Sequence, residues 1–116
     1  MSDFPQQRSV YLSKALKQSG DTKKRPVVVV STDIRNQYSS TVLVIPFSSD
    51  VSQTANPSRT LIEGGEGGLN LDSVAMCDVL TCIKKQYLEP EPYGEISVEN
   101  FARILAAIQI AIGIYY

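Results

Sequence analysis

Two short apolar runs constrain this chain more than any other feature: the valines of RPVVVVS at 25–31 and TVLVIPF at 41–47. β-Branched residues are stiff at χ1 and fit a pleated surface, and an unbroken apolar run marks a strand covered on both faces. Residues 27–31 and 41–47 are therefore expected to be central strands. Pro46 has no N–H to give a ladder, so the second strand is expected to end, bulge or lie at a sheet edge there. Shorter runs at Val10–Leu12, Thr60–Ile62 and Glu95–Ile96 read as further strands, the first as an edge. Ser73–Leu80 reads as another buried strand, continuing with a kink to Ile83. TDIRNQYSS reads as a turn or one helical turn, SSDVSQTANPS as a polar loop, and KKQYLEPEPYG as a connector with one helical turn.

One helix is expected, at the C-terminus. Ser97 is a good N-cap and Glu99 lies where the helix dipole favours an anion. Phe101, Ile104, Leu105, Ile108 and Ile112 recur at helical spacing, and Ala107, Ile110, Ala111 and Ile114 make the helix apolar nearly all round. Such a helix needs cover on more than one side, and a second copy of the chain is a natural cover. The segment is shorter than the roughly 20 apolar residues of a membrane span, and Arg103 and Gln109 interrupt it. No membrane association is expected. The sum is a mainly β (α+β) fold: a small, strongly curved antiparallel sheet or barrel with a C-terminal helix, in a single domain over 1–116.

Charge is unevenly spread. Residues 1–60 carry eight cations against four anions, and residues 61–116 carry three against eight, for a total of −1 over the 116 residues. A wholly basic nucleic-acid binder is excluded, but a basic half can still meet phosphates. The sharpest cluster is Lys23-Lys24-Arg25, directly before Pro26 and the valines. It reads either as a phosphate-facing group or as a solvated guard on an aggregation-prone strand. Gly64, Gly65, Gly67 and Gly68 read as turn glycines, because no Gly-Lys-Ser/Thr follows them. Tyr87, Tyr93, Tyr115 and Tyr116 are candidates to stack bases or to pack. Cys77 and Cys82 lack Cys-x-x-Cys spacing, and the chain has no histidine, so a metal centre, a disulfide redox pair and a two-histidine mechanism are not expected. Both cysteines read as buried thiols. MSDFPQQR carries no apolar signal core, and a cytoplasmic location is expected.

The succession RPVVVVS, TVLVIPFSS, GEGGLNLDSVAMCD and a terminal apolar helix resembles the MazF/PemK toxins over roughly residues 8–114. That resemblance implies an SH3-like, PemK/CcdB-like barrel. It implies the toxin of a type II toxin–antitoxin system, a homodimer that cuts single-stranded RNA without a metal or other cofactor. It further implies inhibition by a MazE-like antitoxin. Arg25 matches the family's catalytic arginine, and Ser48 stands where the family has Thr or Ser as a second catalytic residue. Asp78 matches an aspartate implicated in some members. Lys23, in the loop flanking the site, joins Asp21, Lys24 and Ser49 as further candidates for catalysis or RNA binding. The implied products are a 2′,3′-cyclic phosphate and a 5′-OH.

The chain departs from the family at several places. Ser9-Val10 replaces Gly-Asp after Arg8, Gln18-Ser19-Gly20-Asp21 replaces Gly-Ser-Glu-Gln, and Val79, Thr81 and Cys82 replace Gln and Arg-Thr. The alternatives to a nuclease are a non-cleaving toxin of the same fold that acts on DNA gyrase, and a catalytically weakened member.

Overall fold

Valines at odd and even positions of the first central strand enter different cores. The computed structural model describes residues 3–14 and 23–113. Among these, β1 (Ser9–Ser13), β2 (Arg25–Val29), β3 (Thr41–Ser48), β4 (Arg59–Ile62), β5 (Ser73–Met76), β6 (Thr81–Lys84) and β7 (Gly94–Glu95) form one curled antiparallel sheet. Its order is β4-β5-β3-β2-β1-β7, with β6 also on β3. Side chains alternate between faces along a strand. Val28, Val30, Ile45 and Phe47 thus join one core, and Val27, Val29, Val42 and Val44 join the other with Ile83 and Leu88. Burying each such side chain contributes roughly 1.5–3 kcal/mol. The C-terminal helix, Val98–Ile112, covers the first core with Phe101, Ile104 and Ala107.

β1 is not an edge strand: it pairs with β2 on one side and β7 on the other. The segment 32–38 forms α1 (Asp33–Tyr38), capped by Thr32, so the C-terminal helix is α2. The buried Asn36 of α1 donates to the carbonyls of Ser31 and Pro5, both at 3.0 Å. The polar loop after β3 contains a 3-10 helix at Val51–Ala55, and the connector after β6 another at Lys85–Tyr87. The expected kink in 73–83 is a break at Cys77–Val79, after which the chain leaves β5 and runs on as β6.

Pro46 neither ends β3 nor puts it at an edge; the strand runs on to Ser48 in the middle of the sheet. The ladder explains this. Val30 N–H bonds the Leu43 carbonyl at 2.9 Å, so residues 30 and 43 are a hydrogen-bonded pair. Such pairs alternate, and Val27↔Pro46 therefore falls on a non-bonded rung, with the Pro46 nitrogen turned away from β2. On that far side β3 changes partner, from β6 at Val44↔Thr81 to β5 at Phe47↔Ala75. The missing donor falls in the gap.

The two cysteines differ. Cys77 is buried, with its thiol pushed up to about 11 by burial, while Cys82 on β6 is exposed rather than buried. Leu105, Ile110 and Ile112 of α2 are exposed as well, so the helix buries a narrower stripe than its composition suggests.

Candidate active-site cleft

The same ladder arithmetic places Arg25. Continuing the β2–β3 register past Val27↔Pro46 sets residue 26 opposite Phe47 and Arg25 opposite Ser48. Residues 26 and 47 fall on a hydrogen-bonded rung, where an ordinary residue 26 would donate to the Phe47 carbonyl. Pro26 has no N–H. The Arg25 Nη1 donates to that carbonyl instead, at 3.2 Å. A guanidinium is thereby drawn across to β3 at the point where Ser48 ends it, and both residues are half-buried.

Arg25 and Ser48 share a cleft of about 470 Å³ with Lys23, Lys24 and Ser49. Its other wall comes from the segment around Gly68–Leu71 and from Tyr93. Lys23 is exposed. Lys24 reaches across to Glu89, with Nζ 3.4 Å from Oε2. The Ser48 hydroxyl oxygen accepts the Asp50 N–H at 3.1 Å, which leaves its own proton available to a ligand oxygen.

Asp50, which no motif of the sequence singles out as a site residue, also lines the cleft. Its carboxyl is held below the usual range by hydrogen bonds from the Ser52 hydroxyl and N–H and from Gln53. It is thus an anion with reduced basicity. The pattern Asp50-Val51-Ser52 at the start of a short helix is the sequence signal for that cap, but not for its place in the cleft.

Asp78 is not among the residues that line the cleft. Both of its carboxylate oxygens accept from Arg59, at 2.9 Å from Nε and 3.0 Å from Nη2. Asp21 lies outside the described residues.

The glycines prove to be more than turns. Gly67 and Gly68 have φ of 61° and 79°, the left-handed region that favours glycine. A Cβ on Gly68 would run into the Tyr93 carbonyl, and one on Gly94 would come 2.8 Å from the Gly67 backbone. The 66–68 segment therefore seats directly on 93–94. Glu66 ties the same segment to α2: Oε1 accepts the Ser97 N–H at 2.8 Å, and Oε2 accepts from Asn100. Ser97 in turn caps the Asn100 N–H at 3.2 Å. In a capping box the third residue of the helix takes the N-cap N–H; here that residue is Asn100, and Glu66 does the task from another loop. Burial raises the Glu66 carboxyl, but hydrogen bonds from Ser97 and Asn100 and the Arg103 charge outweigh it and leave the group lowered.

The family model for "PemK-like, MazF-like toxin of type II toxin-antitoxin system" matches residues 6–112. An endoribonuclease MazF of Staphylococcus saprophyticus is 29% identical over 91 residues, 78% of this chain and 75% of the relative. Among solved structures, an endoribonuclease in complex with its cognate antitoxin, from a mycobacterial species, superposes with a TM-score of 0.81 at 18% identity, covering 97% of this chain and 98% of its own. The Mycobacterium tuberculosis toxin MazF-mt6 gives 0.79 at 21%, covering 94% and 100%. A MazE–MazF structure from Deinococcus radiodurans gives 0.76 at 15%, covering 98% and 100%. At these identities the structures speak to the fold, and they share it along nearly the whole chain. Among the described residues no helix is long and apolar enough to cross a membrane.

Proposed function

The chain belongs to the PemK-like, MazF-like toxins of type II toxin–antitoxin systems, and from that premise we propose that it is a metal-independent endoribonuclease that cuts single-stranded RNA at short sequences. One observation carries the reading: Arg25, whose Nη1 donates to the Phe47 carbonyl, lines one cleft with the next residue, Ser48, and with Lys23 and Lys24. RNA supplies its own nucleophile. The 2′-oxygen attacks phosphorus and the bond to the 5′-oxygen breaks. The hydroxyl proton is lost to a base and a proton is returned to the leaving oxygen. The products are a 2′,3′-cyclic phosphate and a 5′-OH.

The phosphorane gathers negative charge, and a guanidinium answers it with fixed charge and paired N–H donors. That is the role of Arg25. Ser48 donates to a phosphate oxygen and orients it; no base partner marks it as a covalent nucleophile. Asp78 is engaged by Arg59, which argues for a structural part. Asp50 stays ionised but is a weakened base. Asp21 remains the candidate proton acceptor. A homodimer and a MazE-like antitoxin complete the reading. The antitoxin complexes named among the solved relatives support the second, and the exposed isoleucines of α2 support the first.

The test is incubation of the purified protein with a long natural mRNA in EDTA, with breaks mapped by primer extension. Discrete breaks are expected, and Arg25→Ala should slow them by about 100-fold or more. Intact RNA, or undiminished cutting by that variant, would overturn the assignment.

A further inference from the structure

We propose that Tyr93 is the stacking platform for an unstacked base of the bound strand, which makes it a base-binding residue of the cleft. The inference rests on the nuclease reading of that cleft. Its basis is where the ring stands and what holds it there. Tyr93 is 46% exposed and shares the cleft with Arg25. Its backbone is fixed from two sides. The Tyr93 N–H bonds the Val10 carbonyl at 2.7 Å, and the next residue, Gly94, pairs with Val10 in β7. From the other side Gly68 packs so closely that a single methyl there would collide with Tyr93.

A rigid seat that presents an exposed aromatic ring suits a ligand with a flat apolar face. Neighbouring walls add to this. Leu71, 65% exposed, lines the same cleft, with the amide of Asn70 beside it. A splayed base can stack on tyrosine while its edge meets polar groups and its phosphate meets Arg25. Tyr87 does not offer this: it lies under the Lys14 ammonium, 5.4 Å from the ring centre, and does not line the cleft. Tyr115 and Tyr116 lie outside the described residues.

The chain contains no tryptophan, so Tyr93→Trp installs a lone fluorescent reporter. The probe is a random-sequence single-stranded DNA decamer, which lacks the 2′-OH and cannot be cut. Binding is followed by anisotropy. Quenching of the introduced indole on binding is expected. So is about a 10-fold loss of affinity in Tyr93→Ala, with Tyr93→Phe close to the parent. An abasic decamer should bind the parent and Tyr93→Ala alike. On RNA, Tyr93→Ala should raise KM and leave kcat in place. Bound decamer with unchanged indole emission, equal affinity of Tyr93→Ala, or failure of the decamer to bind at all would overturn the proposal. Arg25-dependent cutting alongside an unquenched indole would sink this inference alone. Quenching without any RNA cleavage would sink the nuclease reading alone.

Discussion

Pro26 acts through a hydrogen bond it cannot make. By withholding a donor from the Phe47 carbonyl, it leaves an acceptor that Arg25 takes, and the guanidinium is held where the cleft opens. Arg59 and Asp78 show the opposite arrangement, a cation and an anion that satisfy each other across β4 and the Cys77–Val79 break. The two side chains are largely but not wholly shielded, so the pair sits between a surface bridge and a buried one. Asp78→Asn is expected to lower stability by about 1 kcal/mol, read as a lower Tm. It should leave kcat on RNA unchanged. A large fall in kcat with Tm preserved would move Asp78 from the scaffold to the chemistry. Arg59, nineteen residues earlier, occupies both oxygens of Asp78.

At the scale of elements, α2 is started by its own Ser97 and by a carboxylate from another loop. Glu66 accepts the N-cap N–H and the Asn100 amide while Gly67 and Gly68 of the same turn seat Tyr93 and Gly94. Helix, glycine turn and cleft wall are therefore one mechanical unit. Glu66 has a lowered pKa in the folded protein, so the stability it contributes is present above its unfolded value. That stability is lost as pH falls through the folded pKa. Acid titration of Tm should therefore show a steeper loss below about pH 4.5 in the parent than in Glu66→Gln. Glu66→Gln should also be less stable than the parent at neutral pH. Identical acid limbs would show that Glu66 does not couple folding to protons. The apolar periodicity of α2 located its buried face at Phe101 and Ile104, but Leu105 and Ile112, at equally good spacing, are exposed. Spacing on one helix cannot say how wide a stripe the facing sheet will cover.

For the whole molecule, the field that matters is local. The chain is nearly neutral, with its cations gathered in the first half and three of them clustered at the start of β2. Single-stranded binding should then weaken with salt by a log–log slope of about −0.7 per phosphate neutralised, or roughly −2 if Lys23, Lys24 and Arg25 each meet one. Lys24 is already paired with Glu89. Lys23→Ala should thus flatten the slope more than Lys24→Ala, measured by anisotropy with the uncleavable decamer between about 50 and 200 mM salt. Equal effects would mean that the nucleic acid displaces Glu89 from Lys24.

Much of the fold was legible one strand at a time. β-Branched runs and a capped apolar helix report local burial, and local burial is written in period and residue type. Arg25 is legible as a candidate from its place before Pro26 and the valines, a pattern that resembles the family's. The sequence by itself determined which segments go inside, where the helix starts, and that a cation cluster stands at the threshold of a buried strand. Only the tertiary structure decided which rung Pro46 occupies, that Asp78 belongs to Arg59, and that Asp50 and Tyr93 share a cleft with Arg25. Those facts depend on register and on contacts between residues far apart in the chain. A one-residue slip of β2 against β3, for example, would put Pro46 on a hydrogen-bonded rung and turn each strand's side chains to the other face, and neither strand's own sequence forbids it.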